Sequence, residues 1–335
     1  MAKICLHIGT HKTGTTMIQN RFHANRLALE ARGVIYPDLV RHTGHHGFLT
    51  DWIALPNAYH LENGGRSALK EIATTWAGSD NTIILSSEEF SRAGGRGGAV
   101  DFAELRDIFA DFDFMVICVL RDQWQFLQSV YLELSRHAPP PRPHDVVEIA
   151  LATAQIDGLW CDYNELLACL SQHFAPPEMH WLDYMQARSG TGGLFGAVMH
   201  LIVPKAVSAE MLHDSSTANV SPSPIPVWAA HAVAGGSRPI HELSLAAREA
   251  FDLEFGPDRA SCIFTRQEIN RLVTHFGKAN ERFAKKIEAS SAMLVSKLPP
   301  PSTIYREDIN ETYWVRLARR LSIITRQAIV SQPLV

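Results

Sequence analysis

The sequence has few cysteines and no excess of positive charge, and it lacks a long apolar run; each absence removes a class of protein. Its cysteines are Cys5, Cys118, Cys161, Cys169 and Cys262. They are odd in number, scattered and without C-x-x-C spacing, so neither a disulfide framework nor a zinc site is indicated. Lys plus Arg is 31 against 35 for Asp plus Glu, a net charge of -4. That argues against a general nucleic-acid binder, whose footprint is a strong basic excess, yet leaves room for a local cationic pocket. The most apolar longer stretch, Leu194 to Val203, is too short to span a bilayer and is interrupted by His200. The first residues run directly into a strand and a glycine turn, which leaves no space for an apolar leader. A cytoplasmic protein is the expectation, and the sequence contains no internal repeat.

What is present is an ordinary globular mixture, 46% hydrophobic and 20% charged over 335 residues, enough for one large domain or two of common size. Strands are predicted at Ile4 to Ile8, Val34 to Tyr36, Thr82 to Leu85, Phe114 to Leu120 and Met179 to Leu182. Helices are predicted from about Thr15 to Ala31, with Ile18, Phe22 and Leu29 on one face and Gly33 as terminator, and at Phe102 to Phe109 and Trp124 to Leu134. Strands alternating with helices point to an α/β fold in three layers, a central, mostly parallel sheet flanked by helices. From about residue 190 the pattern is mainly helical. Prolines cluster at Pro139 to Pro141, around Pro222 to Pro226 and at Pro299 to Pro301. The expected organisation is one α/β domain over 1–298, then a proline linker and an amphipathic helix over 299–335.

The strongest local signal is Gly9-Thr10-His11-Lys12-Thr13-Gly14-Thr15-Thr16 between a predicted strand and a predicted helix. Such a loop turns backbone N–H groups inward, and the helix N-terminus behind it carries partial positive charge; together they cradle an anion, with the Thr hydroxyls as further donors. A nucleotide-triphosphatase loop reads G-x-x-x-x-G-K-[ST]. Here the glycine spacing is kept, but Thr15 takes the lysine position and Lys12 lies inside the loop, which weakens a kinase reading. The K-T-G-T-T element resembles the 5′-phosphosulfate loop of sulfotransferases that use 3′-phosphoadenosine 5′-phosphosulfate (PAPS), particularly the carbohydrate-modifying and bacterial branches. The resemblance implies a P-loop-like sulfotransferase fold. It also implies that Lys12 contacts the bridging oxygen and 5′-phosphate, with Gly14, Thr15 and Thr16 completing the cradle and Thr10, His11 and Thr13 forming the rest of the loop.

A second element follows the strand Val116 to Leu120: Arg121 at its end and Ser129 eight residues later on the next helix. An Arg and a Ser so placed can clamp one phosphate, the guanidinium supplying a charged fork and the hydroxyl a directed bond. Sulfotransferases bind the 3′-phosphate with a similar element, R-D-P-x-x-R-x-x-S-x-Y. Arg121, Asp122, Ser129 and Tyr131 match it, whereas Gln123 and Phe126 stand where the family often has Pro and Arg.

After Ile83-Ile84-Leu85 comes Ser86-Ser87-Glu88-Glu89-Phe90. Carboxylates at the C-terminal ends of parallel strands face the binding crevice, and sulfuryl transfer needs a base for the acceptor's proton. The resemblance gives that role to Glu88, with Glu89 as the fallback; both also fit as helix-start carboxylates favoured by the dipole. In His42-Thr43-Gly44-His45-His46-Gly47 the histidines lack the third-ligand pattern of a zinc site. Related bacterial sequences carry such a pair near the acceptor, which implies an acceptor-orienting or acid–base role for His46 and, less directly, His45, beside the reading as a plain surface loop.

Looser similarities lie at Asn219-Val220-Ser221 and at Phe276 to Phe283, with Asn280 and Arg282. The C-terminal helix spaces Trp314, Leu317, Leu321 and Ile324 on one face, for docking on the core in preference to pairing two subunits or touching an anionic membrane. The expected function is transfer of a sulfuryl group from PAPS to a hydroxyl or amine of a small-molecule or carbohydrate acceptor, leaving 3′-phosphoadenosine 5′-phosphate (PAP), without a metal. A divergent kinase using ATP and Mg²⁺ and a noncatalytic nucleotide-binding protein on the same fold are the alternatives.

Overall fold

The computed structural model describes residues 1–39, 41–95, 98–203, 222–290 and 293–330. The segment Asn219-Val220-Ser221 lies outside them. The described residues divide into two compact units, one from 1–122, 153–203 and 278–295, the other from 123–152, 222–277 and 296–330.

The first unit is built on β1 (Lys3–His7), β2 (Val34–Ile35), β3 (Thr82–Ser86) and β4 (Asp113–Leu120); a small hairpin of β5 (Gln155–Ile156) and β6 (Leu159–Trp160) precedes β7 (Met179–Asp183). Five strands form one sheet in the order β2-β3-β1-β4-β7, and every neighbouring pair is parallel. The α/β class expected from the alternation is therefore the class observed. Alternate residues of the central strands feed two cores. Ile4, Leu6, Ile83, Leu85, Val116 and Cys118 belong to one apolar cluster with Phe48, Leu69, Phe102 and Leu166. Cys5, Ile84, Ile117 and Val119 belong to another with Ile18, Phe22, Phe195 and Val198.

The single helix expected from Thr15 to Ala31 is two, α1 (Thr15–Ala24) and α2 (Arg26–Glu30). Between them Asn25 leaves helical geometry (φ -99°, ψ 6°), and its Nδ2 donates to the Arg21 carbonyl at 2.8 Å. A short amide side chain competing with the main chain is the physical reason for the break. Ile18, Phe22 and Leu29 still share one core. Gly33 terminates α2 as expected, with φ +75° and its N–H on the Glu30 carbonyl.

The second unit is mainly helical, as the composition beyond residue 190 suggested. Helices Pro224–Ala234, His241–Phe255 and Glu311–Val330 enclose Ile225, Ala247, Phe251, Tyr313 and Leu317. Trp314 meets Trp228 edge-on at 5.8 Å, and Arg316 and Arg320 pair with Glu254 and Glu249. The C-terminal helix thus docks on the helices of its own unit. Past the Pro299 to Pro301 run, β9 (Ile304–Tyr305) pairs in parallel with β8 (Ser261–Cys262), two strands too short to announce themselves as periodicity.

Phe22 stacks on Tyr36 and meets Phe195 edge-on, both at 5.2 Å between ring centroids, and is fully buried. Phe22→Ala is expected to cost about 3–5 kcal/mol, read as a lower urea midpoint at an unchanged slope.

Candidate functional site

The strand order turns on β1: β3 and β2 lie to one side of it, β4 and β7 to the other. In open α/β sheets the crevice outside the strand C-termini at such a switch point is where ligands bind. The loop that leaves β1 there is pinned on both flanks. On the β4 side, Ile8 N–H donates to the Ile117 carbonyl at 2.9 Å, and Thr10 donates to the Val119 carbonyl from its N–H at 3.0 Å and its Oγ1 at 3.1 Å. On the β3 side, Ser91 Oγ donates to the Gly9 carbonyl at 3.2 Å. Thr13 Oγ1 donates to the Thr10 carbonyl. Of the predicted loop donors, Thr10 and Thr13 thus hold the loop's shape, Thr15 is buried at the start of α1, and Thr16 is exposed beside it.

Lys12 and Gly14 both adopt left-handed geometry, φ +63° and +80°. Gly14 is the N-cap of α1, with no side-chain cap bond and no acidic residue in the first turn. The first amides of a helix have no intrahelical partner, so this end carries donors and partial positive charge, and α1's own first turn supplies no carboxylate to neutralise them. A Cβ on Gly14 would stand 2.9 Å from Leu194 Cδ2 on top of the backbone strain, so glycine is required here.

Arg121, at the end of β4, is brought to the same loop. One guanidinium NH donates to the Lys12 carbonyl at 2.9 Å, and the group lies over the Tyr184 ring, 5.0 Å from its centroid. Its backbone is clamped by Tyr163, whose hydroxyl donates to the Arg121 carbonyl and accepts its N–H. Burial pulls the Arg121 pKa down, with Tyr184 and Tyr163 opposing. Lys12 and Arg121 therefore meet. Ser129 belongs to the second unit, on the helix Gln123–His137. Phe126 and Tyr131 of that helix are fully buried, so Phe126 fills core volume where the family element often carries a charge.

The turn after β3, Glu88–Ser91, is capped by Ser87, whose Oγ accepts the Glu89 N–H. The two carboxylates diverge from there. Glu89 is held by His11 Nε2 at 3.2 Å and Arg92 Nε at 2.6 Å. Burial would raise its pKa, but those bonds overcome burial and bring it to about 2. Glu88 accepts Gln19 Nε2 at 3.0 Å and lies 3.9 Å from His46 Nε2. Its burial also raises the pKa, and His46, His11 and Gln19 reverse that to a net lowering, so the carboxylate is ionised at neutral pH. His46 Nδ1 sits 2.7 Å from Ser87 Oγ, and its ring meets Tyr59 edge-on at 4.9 Å. Among the described residues no group of three His, Cys, Asp or Glu is arranged to hold a metal ion.

His45 has a different place from His46. It is fully buried; its Nε2 donates to the Pro37 carbonyl at 2.8 Å, its Nδ1 accepts the Ser86 N–H at 2.9 Å, and its own N–H donates to the Ser86 carbonyl. With both ring nitrogens engaged, it staples the loop to the end of β3 and presents neither to an acceptor. His7, Gln19, Ser87, Arg92 and Tyr59 were not among the residues sequence reasoning picked out. Two carried a signal: His7 closes an otherwise apolar strand on the Cys5 face, and Gln19 interrupts the buried stripe of Ile18 and Phe22.

Burial lowers the pKa of His7 from 6.5 to about 4, Glu88 opposing, and that of His45 to about 3, its bond to Pro37 opposing. The unfolded chain takes up protons below 6.5 that these two rings refuse in the native state. Stability is therefore expected to fall as pH drops through 6.5 towards 4, at up to about 1.4 kcal/mol per pH unit for each ring. Urea unfolding between pH 7.5 and 4.5 measures the slope, and His45→Gln should reduce it by one proton.

No protein-family model matches the chain, and no curated protein matches it. Among solved structures it is similar to a sulfotransferase from Alicyclobacillus acidocaldarius, at 11% identity over 85% of this chain and 96% of that one, with a TM-score of 0.45. No helix among the described residues is long and apolar enough to cross a membrane. At that distance, chemistry has to come from this chain's own side chains.

Proposed function

We propose that this chain is a sulfotransferase that moves a sulfuryl group from PAPS to a hydroxyl or amine of an acceptor. The observation that carries the reading is a single juxtaposition. An uncapped, acid-free helix N-terminus lies behind a left-handed Lys12 whose carbonyl is held by Arg121, and an ionised, partly buried Glu88 stands at the end of the adjacent strand. The residues fit an anionic nucleotide: the glycine at position 14 keeps the helix end open, and the cations come from two strand ends. When bound, PAPS would supply the sulfuryl group and a phosphate leaving group.

The protein's part follows from its own groups. Lys12 and the amides of Gly14, Thr15 and Thr16 would hold the 5′ end and stabilise charge gathering on the leaving oxygen; one preorganised donor of this kind is worth about 2.7–4 kcal/mol. Arg121 braces Lys12 through its carbonyl and adds charge to the same end of the sheet, with Tyr184 beneath it. The expectation that Ser129 assists at the 3′-phosphate stands beside this as part of the proposal. Glu88, ionised in advance, would take the acceptor's proton as its oxygen or nitrogen attacks. His46, tied to Ser87 and facing Glu88, would orient the acceptor. Glu89 is engaged by His11 and Arg92, which favours Glu88 as the base and gives His11 the role of bracing the loop against the carboxylate turn. A carbohydrate or small metabolite is the acceptor class proposed, in the cytoplasm.

The test begins with ligand-induced thermal stabilisation. PAP without metal is expected to raise the melting temperature, and Lys12→Ala to abolish the shift; stabilisation by ATP–Mg²⁺ alone would favour a kinase and overturn the proposal. With labelled PAPS and a panel of acceptors, Glu88→Gln should cut turnover by about 10²–10⁴ while retaining PAP binding. Equal turnover would remove Glu88 from the role, and binding without any transfer would favour a noncatalytic nucleotide-binding protein.

A further inference from the structure

Gln19 lies on α1, one turn beyond Thr15 and Thr16, which open that helix behind the phosphate loop. It is buried, at 3% exposure, on a face otherwise given to Ile18 and Phe22. Its Nε2 donates to Glu88 Oε2 at 3.0 Å and reaches the Ser86 carbonyl at 3.5 Å. On the other side the amide is closed in by Gly44, where a Cβ would stand 2.6 Å from Gln19 Oε1 and 3.0 Å from Nε2. An ionised carboxylate only accepts, so the hydrogen bond turns the donor end of the confined amide towards Glu88. The helix that carries the anion-binding amides thus reaches the proposed base through one side chain and one direct hydrogen bond.

We propose that Gln19 is a positioning residue that ties the phosphate-binding helix to Glu88, holding the carboxylate ionised and in one rotation for the acceptor's proton. The proposal rests on Glu88 being the base. Gly44 belongs to the same device, since only a residue without a Cβ leaves room for the amide. The groups facing Glu88 come from several elements: His46 from the short helical turn His46–Leu49, His11 from the loop, His7 from β1, and Tyr36 and Tyr59 nearby. Burial works against the charged form of Glu88, and His46, His11 and the Gln19 bond work for it. A hydrogen bond to the charged form favours that form, so removing the donor moves the titration upward.

Two substitutions remove the donor in independent ways. Gln19→Met keeps the volume and loses the amide; Gly44→Ala keeps the amide and displaces it. Both are expected to move the acid limb of the kcat/KM profile up by about one pH unit, with PAP affinity, measured calorimetrically, unchanged. An acid limb that stays in place in both variants overturns the proposal, and so does a loss of PAP affinity without movement of the limb, which would make Gln19 a support for the helix alone. Titration of Glu88 by NMR on ¹³C-labelled glutamate, with Glu88→Gln to assign the resonance, reads the same coupling without turnover. If wild-type protein transfers no sulfate, the function proposed above fails, while an upward shift of Glu88 in Gln19→Met still establishes the coupling.

Discussion

The pairing of β1 with β3 on one side and β4 on the other is the constraint on which the site depends. In that register His7 lies opposite Ser86 on β3 and Ile117 on β4. All three strands are parallel; β1 and β3 end level at His7 and Ser86 while β4 runs on to Leu120, so the phosphate loop lies along the last residues of β4, and the Ser86 to Glu89 turn and Arg121 emerge at the same edge of the sheet. Several polar contacts of the site cross this junction: Thr10 to the Val119 carbonyl, Ser91 to the Gly9 carbonyl, Arg121 to the Lys12 carbonyl. A slip by one residue would send Cys5 and His7 to the opposite core and separate these partners.

Around this edge the charges are arranged so that the carboxylates remain ionised although partly buried. Desolvation favours the neutral acid at both Glu88 and Glu89, and the imidazoles, Arg92 and Gln19 reverse it. The two acids are then differentiated by their partners. Glu89 is gripped by His11 and Arg92, a bracing arrangement, whereas Glu88 receives a neutral amide and a more distant imidazole. Burial holds the His45 and His7 rings well below the ordinary imidazole pKa, so both are neutral at neutral pH.

Much of this was legible in the sequence because it depends on local pattern. The apolar runs that became β1, β3 and β4 are continuous and β-branched, as strands buried on both faces must be, and the glycine-bracketed loop stands between a strand and a helix. Lys12 and Glu88 could be named because they lie in or beside such features, whereas His46 was named only from the resemblance of its loop to related bacterial sequences. The rest depends on contacts distant in sequence. Gln19 and Glu88 are 69 residues apart, and Arg121 and Lys12 are 109 apart, so no spacing rule joins them. His45 and His46, adjacent in sequence, have separate surroundings because one ring turns into the core and the other towards Glu88. The break at Asn25 was missed because helical periodicity continues across it, while a side-chain hydrogen bond interrupts the backbone.

The central claim is that the end of α1 and Lys12 form one anion cradle. A crystal structure of the protein with PAP measures this directly. The account predicts the 5′-phosphate on the amides of Gly14 to Thr16 with Lys12 Nζ in contact. A 5′-phosphate bound elsewhere, with Lys12 and the helix end facing solvent, would contradict it.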